Sequence, residues 1–134
     1  HLPMFAARGP GGMRREIVEA QYSIAGAVGR APRWFRPTAG LRNPFLDPVL
    51  AGLGLRLASW TRRPFDTRCG DVDAVHARLT RNLAAGDILL MHDGHAARTP
   101  AGTPVVLDAL PRLLASLDGH GLRSVTLAAA LGHD

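Results

Sequence analysis

The sequence predicts an α/β protein built around a parallel sheet. Stretches with helical apolar spacing alternate along the chain with short apolar runs suited to buried strands. The segments between those runs are long enough to hold a crossover helix, and alternation of this kind implies right-handed βαβ units. We therefore expect parallel βα repeats with four strands, which make a small open sheet or half of a barrel.

The elements are predicted in strict alternation after a Pro- and Gly-rich loop over residues 1–12. The expected order is helix 13–28, strand 33–36, helix 44–53, strand 55–60, helix 71–84, strand 87–91, helix 104–117 and strand 124–127. The last three strands lack polar alternation, which is typical of parallel strands that are covered on both faces.

The first two helices are predicted from apolar spacing and from residues that favour helix ends. The apolar stripe of the first helix consists of Ile17, Tyr22, Ile24 and Val28. Gly29 follows this stripe and is a candidate C-cap. In the second helix Pro44 occupies the first turn and Gly54 follows the end.

The third and fourth helices are predicted from their starts and their apolar faces. Asp71 lies at the start of the third helix, and Thr103 is the expected N-cap of the fourth. The apolar face of the third helix contains Val72, Val75, Leu79 and Leu83. That of the fourth contains Val105, Leu107, Leu110, Leu113, Leu114 and Leu117.

The composition fits a globular chain and favours neither nucleic-acid binding nor a membrane span. Hydrophobic residues make up 46% of the chain and charged residues 20%, a balance that supports a core rather than disorder. The net charge of +5 comes from 16 basic residues, all Arg, which are spread along the chain rather than clustered with aromatics. No apolar run approaches the roughly 18 residues that span a bilayer. The single Cys69 excludes an internal disulfide and indicates no compartment.

Titratable side chains follow three successive predicted strands. Arg36 follows the first strand, and Asp66 lies a few residues after Trp60, where the second strand ends. The third strand is followed by His92, Asp93 and His95. Because ligands of parallel α/β sheets sit beyond the carboxyl ends of the strands, we expect these groups to share one rim. A carboxylate beside an imidazole favours the imidazolium, which donates protons, and an Arg holds carboxylates or oxyanions bidentately.

Each of these residues also has an ordinary structural interpretation. His92 could cap a strand and bond a carbonyl, Asp66 could be a turn residue, and Arg36 could form a surface ion pair. The sequence His92-Asp93-Gly94-His95 could chelate a metal, although two histidines on one loop need a third ligand. Solvated positions are expected for His76, His120 and His133.

Several short motifs, in their order and spacing, resemble the polysaccharide deacetylase family, the NodB-homology domain of carbohydrate esterase family four. The resemblance covers essentially the whole chain. It rests on His1, on residues 13–17, on residues 32–40, on residues 58–60 with Asp66, and on residues 86–93. It implies that residues 1–134 are the C-terminal part of a deformed (β/α) barrel, a partial domain without the first strands and their Asp-Asp motif.

The resemblance implies a metal-dependent hydrolase that removes acetyl groups from N-acetylated sugars. In this family a divalent metal, usually zinc, is held by an Asp and two His, and a neighbouring Asp activates the metal-bound water. His92 matches the general acid that protonates the leaving amine, and Asp66 matches the carboxylate that orients that His. Arg36 matches the residue that holds the catalytic base.

The resemblance also implies residues around the substrate and the metal. The backbone N–H of Ala39 matches an oxyanion donor, and Leu90 matches part of the apolar pocket for the acetyl methyl group. Trp60 belongs to the same substrate region. His1 matches the second metal-ligand His.

The chain departs from the family pattern at several positions. It contains no Asp-Asp pair, and no residue stands four positions before His1, where the first metal His is expected. Ala39 replaces the usual Tyr, Thr67 replaces a Trp that often follows the Asp, and Arg63 replaces a frequent Asp. We therefore expect these residues alone to be inactive, marginally stable and prone to self-association through the exposed edge of the first strand.

Two other functions remain open at this point. The first is a non-catalytic carbohydrate-binding remnant of the same fold, using the same rim without the metal. The second is an Arg-rich nucleic-acid binder, which requires a steep salt dependence of binding.

Overall fold

The computed structural model describes residues 3–131, which fall into two compact units, His1–Ser59 and Trp60–Asp134. Within residues 3–131 no helix is both long enough and apolar enough to cross a membrane.

The first unit contains two short parallel strands and two α-helices. Its helices are α1 (Pro10–Val28) and α2 (Leu46–Ala51), with 3₁₀ turns at Pro3–Ala7 and Thr38–Gly40. Its strands are β1 (Trp34–Phe35) and β2 (Arg56–Leu57). Trp34 lies opposite Arg56 and Phe35 lies opposite Leu57 in parallel register, which confirms the predicted α/β class with parallel pairing.

The ends of α1 follow from local sequence, but its apolar stripe is only partly buried. Pro10 occupies the first turn, where its missing N–H costs no hydrogen bond. Gly29 ends the helix at φ 74°, and its N–H bonds the carbonyl of Ala25 at 2.8 Å, which confirms the predicted C-cap. Of the predicted stripe only Ile17 is buried, whereas Tyr22, Ile24 and Val28 are exposed.

The core of the first unit lies where α1, α2 and the strand pair meet. Its buried members are Phe5, Met13, Ile17, Leu46, Leu50 and Leu55. The ring of Phe5 lies 5.6 Å from that of Phe35, so the 3₁₀ turn packs against β1. α2 is shorter than predicted because the side-chain oxygen of Asn43 accepts the N–H of Phe45 and holds the preceding residues in a turn.

The second unit is built on α3 (Val72–Thr80) and α4 (Val105–Gly119). Asp71 caps α3, because its carboxylate accepts the backbone N–H groups of Asp73 and Ala74. The two helices pack through Val75, Leu79, Val105, Ala109, Leu113 and Leu117. The other side of α4 exposes Leu107, Leu110 and Leu114. Only one face of this apolar helix is therefore in the core.

The predicted third strand is reduced to a single parallel bridge between Arg62 and Leu89. The N–H of Thr61 bonds the carbonyl of Ile88 at 2.9 Å, and the N–H of Leu90 bonds the carbonyl of Arg62 at 3.1 Å. The pairing thus has the predicted direction but lasts for only a few residues.

Two sequence predictions in this unit are wrong. Thr103 does not cap α4, because its hydroxyl bonds the side chains of Thr99 and Asp108, and Pro104 precedes the first helical residue. Residues 124–127 do not form a strand. Instead Thr126 caps α5 (Leu127–Ala130), because its hydroxyl oxygen accepts the N–H of Ala129, and the following alanines favour a helix.

Candidate active site

Asp66 and His92 form a tightly bonded pair in the second unit. One carboxylate oxygen of Asp66, Oδ1, lies 2.8 Å from Nδ1 of His92. The other oxygen, Oδ2, accepts the backbone N–H of His92 at 2.7 Å. The carboxylate therefore fixes both the position of the histidine backbone and the orientation of its ring. Asp66 is fully buried, whereas the side chain of His92 is 32% exposed.

The contacts of this pair decide which ring nitrogen of His92 is available for chemistry. An ionised carboxylate only accepts hydrogen bonds, so Nδ1 carries a hydrogen and points at Asp66. Among the described residues no group bonds Nε2 of His92. Nε2 of His92 is therefore the ring nitrogen that remains available for chemistry.

A strained turn places Asp66 in the interior. Phe65 has φ 58°, a left-handed conformation that is uncommon for an aromatic residue. Its carbonyl accepts the N–H groups of Arg68 and Cys69, both at 2.9 Å, which closes the turn. The chain reverses so that Phe65 is 47% exposed while its neighbour Asp66 is fully buried.

The segment after His92 packs closely on the segment after Asp66. The carbonyl of Asp66 accepts the N–H of Ala97 at 2.7 Å. A Cβ on Gly70 would lie only 2.0 Å from the carbonyl oxygen of Arg98, so only glycine fits there. The two segments that carry the pair are therefore held together by backbone contact as well as by the pair itself.

A second carboxylate, Asp87, is partly buried and supports the segment that leads to His92. Its oxygens accept the hydroxyl of Thr61 at 2.7 Å, the N–H of Ala84 at 2.9 Å, and Nε and Nη2 of Arg62, each at 2.7 Å. These bonds, led by that of Thr61, lower the pKa of Asp87 from 3.8 to about 2. From the sequence, Asp87 was predicted only as a strand residue, and its pairing with Arg62 was not predicted.

Arg62 also joins this network to the end of α3. Its guanidinium donates to the carbonyls of Arg81 and Asn82 as well as to Asp87. Such contacts between residues distant in the chain have no local sequence pattern.

The other predicted site residues are distributed over both units. Arg36, in the first unit, is exposed and pairs with no carboxylate among residues 3–131. Ala39 has φ 54°, and the two turn hydrogen bonds around it are donated by Gly40 and Leu41. In the second unit Leu90 is buried and Trp60 is half-buried.

No metal centre is formed by the part of the chain that the structure describes. Between residues 3 and 131 no three His, Cys, Asp or Glu side chains are grouped so that they could hold an ion. His1, the predicted metal ligand, lies outside the described residues. The ligand set for zinc that the family resemblance implies is therefore not supplied by these residues.

Comparison with known proteins identifies relatives at the level of sequence and of fold, although no protein-family model matches the chain. The chain is 32% identical over 104 residues to a peptidoglycan-N-acetylglucosamine deacetylase of Bacillus cereus, a match covering 76% of this chain and 46% of the relative. It is similar to a family 4 carbohydrate esterase from Streptomyces lividans in complex with acetate, with a TM-score of 0.78 and 34% identity over 93% of this chain and 60% of that one.

A third similarity concerns the fold alone. A carbohydrate esterase family 4 pseudoenzyme from Bacillus anthracis matches with a TM-score of 0.83 and 20% identity, over 98% of this chain and 43% of that one.

These similarities confirm the resemblance, drawn from the sequence motifs, to the polysaccharide deacetylases of carbohydrate esterase family four. The chain spans about half the length of the Bacillus cereus relative that it matches, 46%.

Proposed function

We propose that this protein removes acetyl groups from N-acetylated sugars and that His92 is its general acid. The observation that carries the proposal is the contact between Asp66 and His92, 2.8 Å from Oδ1 to Nδ1. The similarity to a peptidoglycan-N-acetylglucosamine deacetylase and to a family 4 carbohydrate esterase supports the same reaction.

The proposed step is the breakdown of the tetrahedral intermediate that forms when water adds to the amide carbonyl. The C–N bond breaks, its electron pair returns to nitrogen, and the amine takes a proton from Nε2 of His92. The products are acetate and the free amino sugar. An amine is a poor leaving group, and a positioned acid accelerates its departure by about 10²- to 10⁴-fold.

Asp66 acts as a positioning residue in this proposal. It holds Nδ1–H of His92 and thereby directs Nε2 away from the protein interior. Its negative charge stabilises the imidazolium that must be present before the proton is given up. The burial of Asp66 strengthens this interaction, since little water screens it.

The remaining assignments come from the family resemblance and stand as part of the proposal. Arg36 holds the catalytic base, the N–H of Ala39 stabilises the oxyanion, and Leu90 with Trp60 contacts the substrate. A divalent metal such as zinc would supply an activated water, but the described residues group no ligand set for it. The role proposed for this chain is therefore confined to its own side chains.

The test is acetate release by the full-length gene product from chitin oligomers and from peptidoglycan. His92→Gln keeps a polar side chain but removes the acid, and we expect the rate to fall about 100-fold or more. His120→Gln, a change to an exposed histidine at the end of α4, is the matched control and should leave the rate unchanged. Undiminished acetate release by His92→Gln would overturn the proposal.

The alternative is a carbohydrate-binding protein without catalysis. It is favoured by the missing metal group among residues 3–131 and by the fold shared with a family 4 pseudoenzyme. Binding of the oligomers without acetate release, on several acetylated substrates, would establish this alternative instead.

A further inference from the structure

We propose that an exposed cluster of two arginines and two aromatic rings binds a carboxylate carried by the sugar substrate. The cluster consists of Trp60, Arg63, Phe65 and Arg78, and we call it the cation–aromatic patch. The inference rests on the proposed function, because it takes the ligand of the neighbouring Asp66–His92 pair to be a sugar.

Both arginines of the patch lie over the same phenylalanine ring. The guanidinium carbon of Arg63 is 4.9 Å from the ring centre of Phe65, and that of Arg78 is 6.0 Å from it. Arg63 also lies 5.8 Å from the ring of Trp60. Contacts over aromatic faces hold the planar guanidinium groups in place, so less side-chain entropy is lost when they bind a ligand.

Neither arginine of the patch has a carboxylate partner among the residues that the structure describes. The fully buried Asp66 is already bonded to His92, and the partly buried Asp87 is bonded to Arg62. Arg78 donates one N–H to the carbonyl of Pro64 at 3.1 Å. This bond anchors the guanidinium and leaves its other N–H groups available. The patch therefore carries two exposed positive charges that no carboxylate between residues 60 and 131 neutralises.

The patch is next in the chain to Asp66, the residue that positions the proposed acid. Phe65 immediately precedes Asp66, and the left-handed turn at φ 58° exposes the ring while burying the carboxylate. Backbone strain of this kind concentrates at functional sites. The exposed ring thus lies beside the segment that holds His92.

The chemistry of the patch selects an acidic sugar. Guanidinium groups bind carboxylates with paired hydrogen bonds, and exposed aromatic rings offer an apolar face for the C–H groups of a sugar ring. A neutral oligosaccharide uses only the rings, whereas a sugar that bears a carboxylate uses both parts. The structure therefore assigns a preference for N-acetylated oligosaccharides that carry a carboxylate.

The test compares chitin oligomers with carboxymethylated chitin oligomers of the same length, using calorimetric titration of the full-length protein. We expect the charged probe to bind roughly three- to tenfold more tightly, a range appropriate to exposed charge pairs. Arg63→Gln should remove this preference without weakening the neutral probe, and Arg78→Gln should reduce it. Arg123→Gln, which removes one exposed charge elsewhere in the unit, should preserve it.

Several outcomes overturn the inference. Equal affinity for the two probes, no binding of either, or an equal loss of preference in Arg63→Gln and Arg123→Gln would each do so. Because binding needs no turnover, acetate release is measured separately. A preference that depends on Arg63 in a protein that releases no acetate supports the patch while refuting deacetylation. Acetate release without a preference refutes the patch alone.

Discussion

Two carboxylates of the second unit, Asp66 and Asp87, are both largely removed from solvent but have different kinds of partner. Asp87 is bonded by a hydroxyl, a backbone N–H and the guanidinium of Arg62, and its side chain is 15% exposed. Asp66 is fully buried and both of its oxygens are bonded by a single residue, His92.

The difference shows how a buried carboxylate can serve architecture or chemistry. Every donor to Asp87 is permanent, since an arginine stays protonated and a hydroxyl and an N–H do not titrate in the working range. Asp87 therefore acts as a fixed support for the bridge between Arg62 and Leu89. The partner of Asp66 can give up a proton and has a second nitrogen open to solvent, which is what a proton donor requires.

The largest effect is expected for Asp66→Asn in the full-length protein. The amide lacks the charge that stabilises the imidazolium, and it cannot accept both the ring N–H and the backbone N–H of His92. We expect kcat for an acetylated sugar to fall about 100-fold or more. Asp93→Asn, a change to an exposed carboxylate beside the same histidine, should have little effect.

A second substrate distinguishes this role of Asp66 from a merely structural one. An aryl acetate has a good leaving group that departs without a proton, so its hydrolysis should suffer much less from Asp66→Asn. Equal losses on the amide and on the aryl ester, with a lowered melting temperature, would show that Asp66 only holds the fold.

The next effect is on stability and concerns the contact that holds the Asp66 segment in place. Gly70→Ala puts a methyl group 2.0 Å from the carbonyl oxygen of Arg98, and backbone must move to relieve it. We expect a loss of about 1–3 kcal/mol in the free energy of unfolding, measured with urea. Gly94→Ala is the control, since nothing lies within 4 Å of its Cβ position. A fully stable Gly70→Ala variant would show that the backbone at Gly70 does not lie this close to the carbonyl of Arg98.

A smaller effect is expected in the pH dependence of stability and concerns Asp87. The pKa of Asp87 is lowered from 3.8 to about 2 in the folded chain, chiefly by the hydroxyl of Thr61. The unfolded chain therefore takes up this proton first as the pH falls. The stabilisation is complete above pH 4 and is lost on approaching pH 2. Asp87→Asn should make the melting temperature depend less on pH over this window.

The matched control for that measurement is Asp118→Asn, which changes an exposed carboxylate in α4. It should leave the slope between pH 4 and pH 2 as it is in the unchanged protein. If Asp87→Asn and the unchanged protein lose stability in parallel over this window, the network around Asp87 does not hold a charged carboxylate.

The parts of the structure that the sequence predicted depend on local interactions. Gly29 and Asp71 end and begin helices through contacts within one turn, so their residue types were sufficient. The Asp66–His92 pair was also predicted, from strand ends and from the family motifs around them. The parallel direction of the strands followed from the alternation of elements.

The parts that were missed depend on contacts between distant residues. The Arg62–Asp87 pair joins two segments, and nothing near either residue indicates the other. The strand predicted over 124–127 failed because the cap at Thr126 and the alanines after it favour a helix over pairing. Exposure of Tyr22 on α1 could not be read from spacing, since spacing shows which residues share a face but not what covers it.

The smallest effect tests a third carboxylate, Asp71, whose role requires geometry but not charge. Its Oδ1 accepts the N–H groups of Asp73 and Ala74 at 2.9 and 3.2 Å, at the start of the helix that carries Val75 and Leu79 into the core. Asp71→Ala should cost about 1 kcal/mol in the free energy of unfolding, measured with urea, whereas Asp71→Asn keeps an acceptor and should cost much less. The same Asp-to-Asn change should therefore strongly lower kcat at position 66. At position 87 it should change how stability depends on pH between pH 4 and pH 2, and at position 71 it should do little. Equal effects at all three positions would mean that the nature of the partner does not determine what a carboxylate does in this unit.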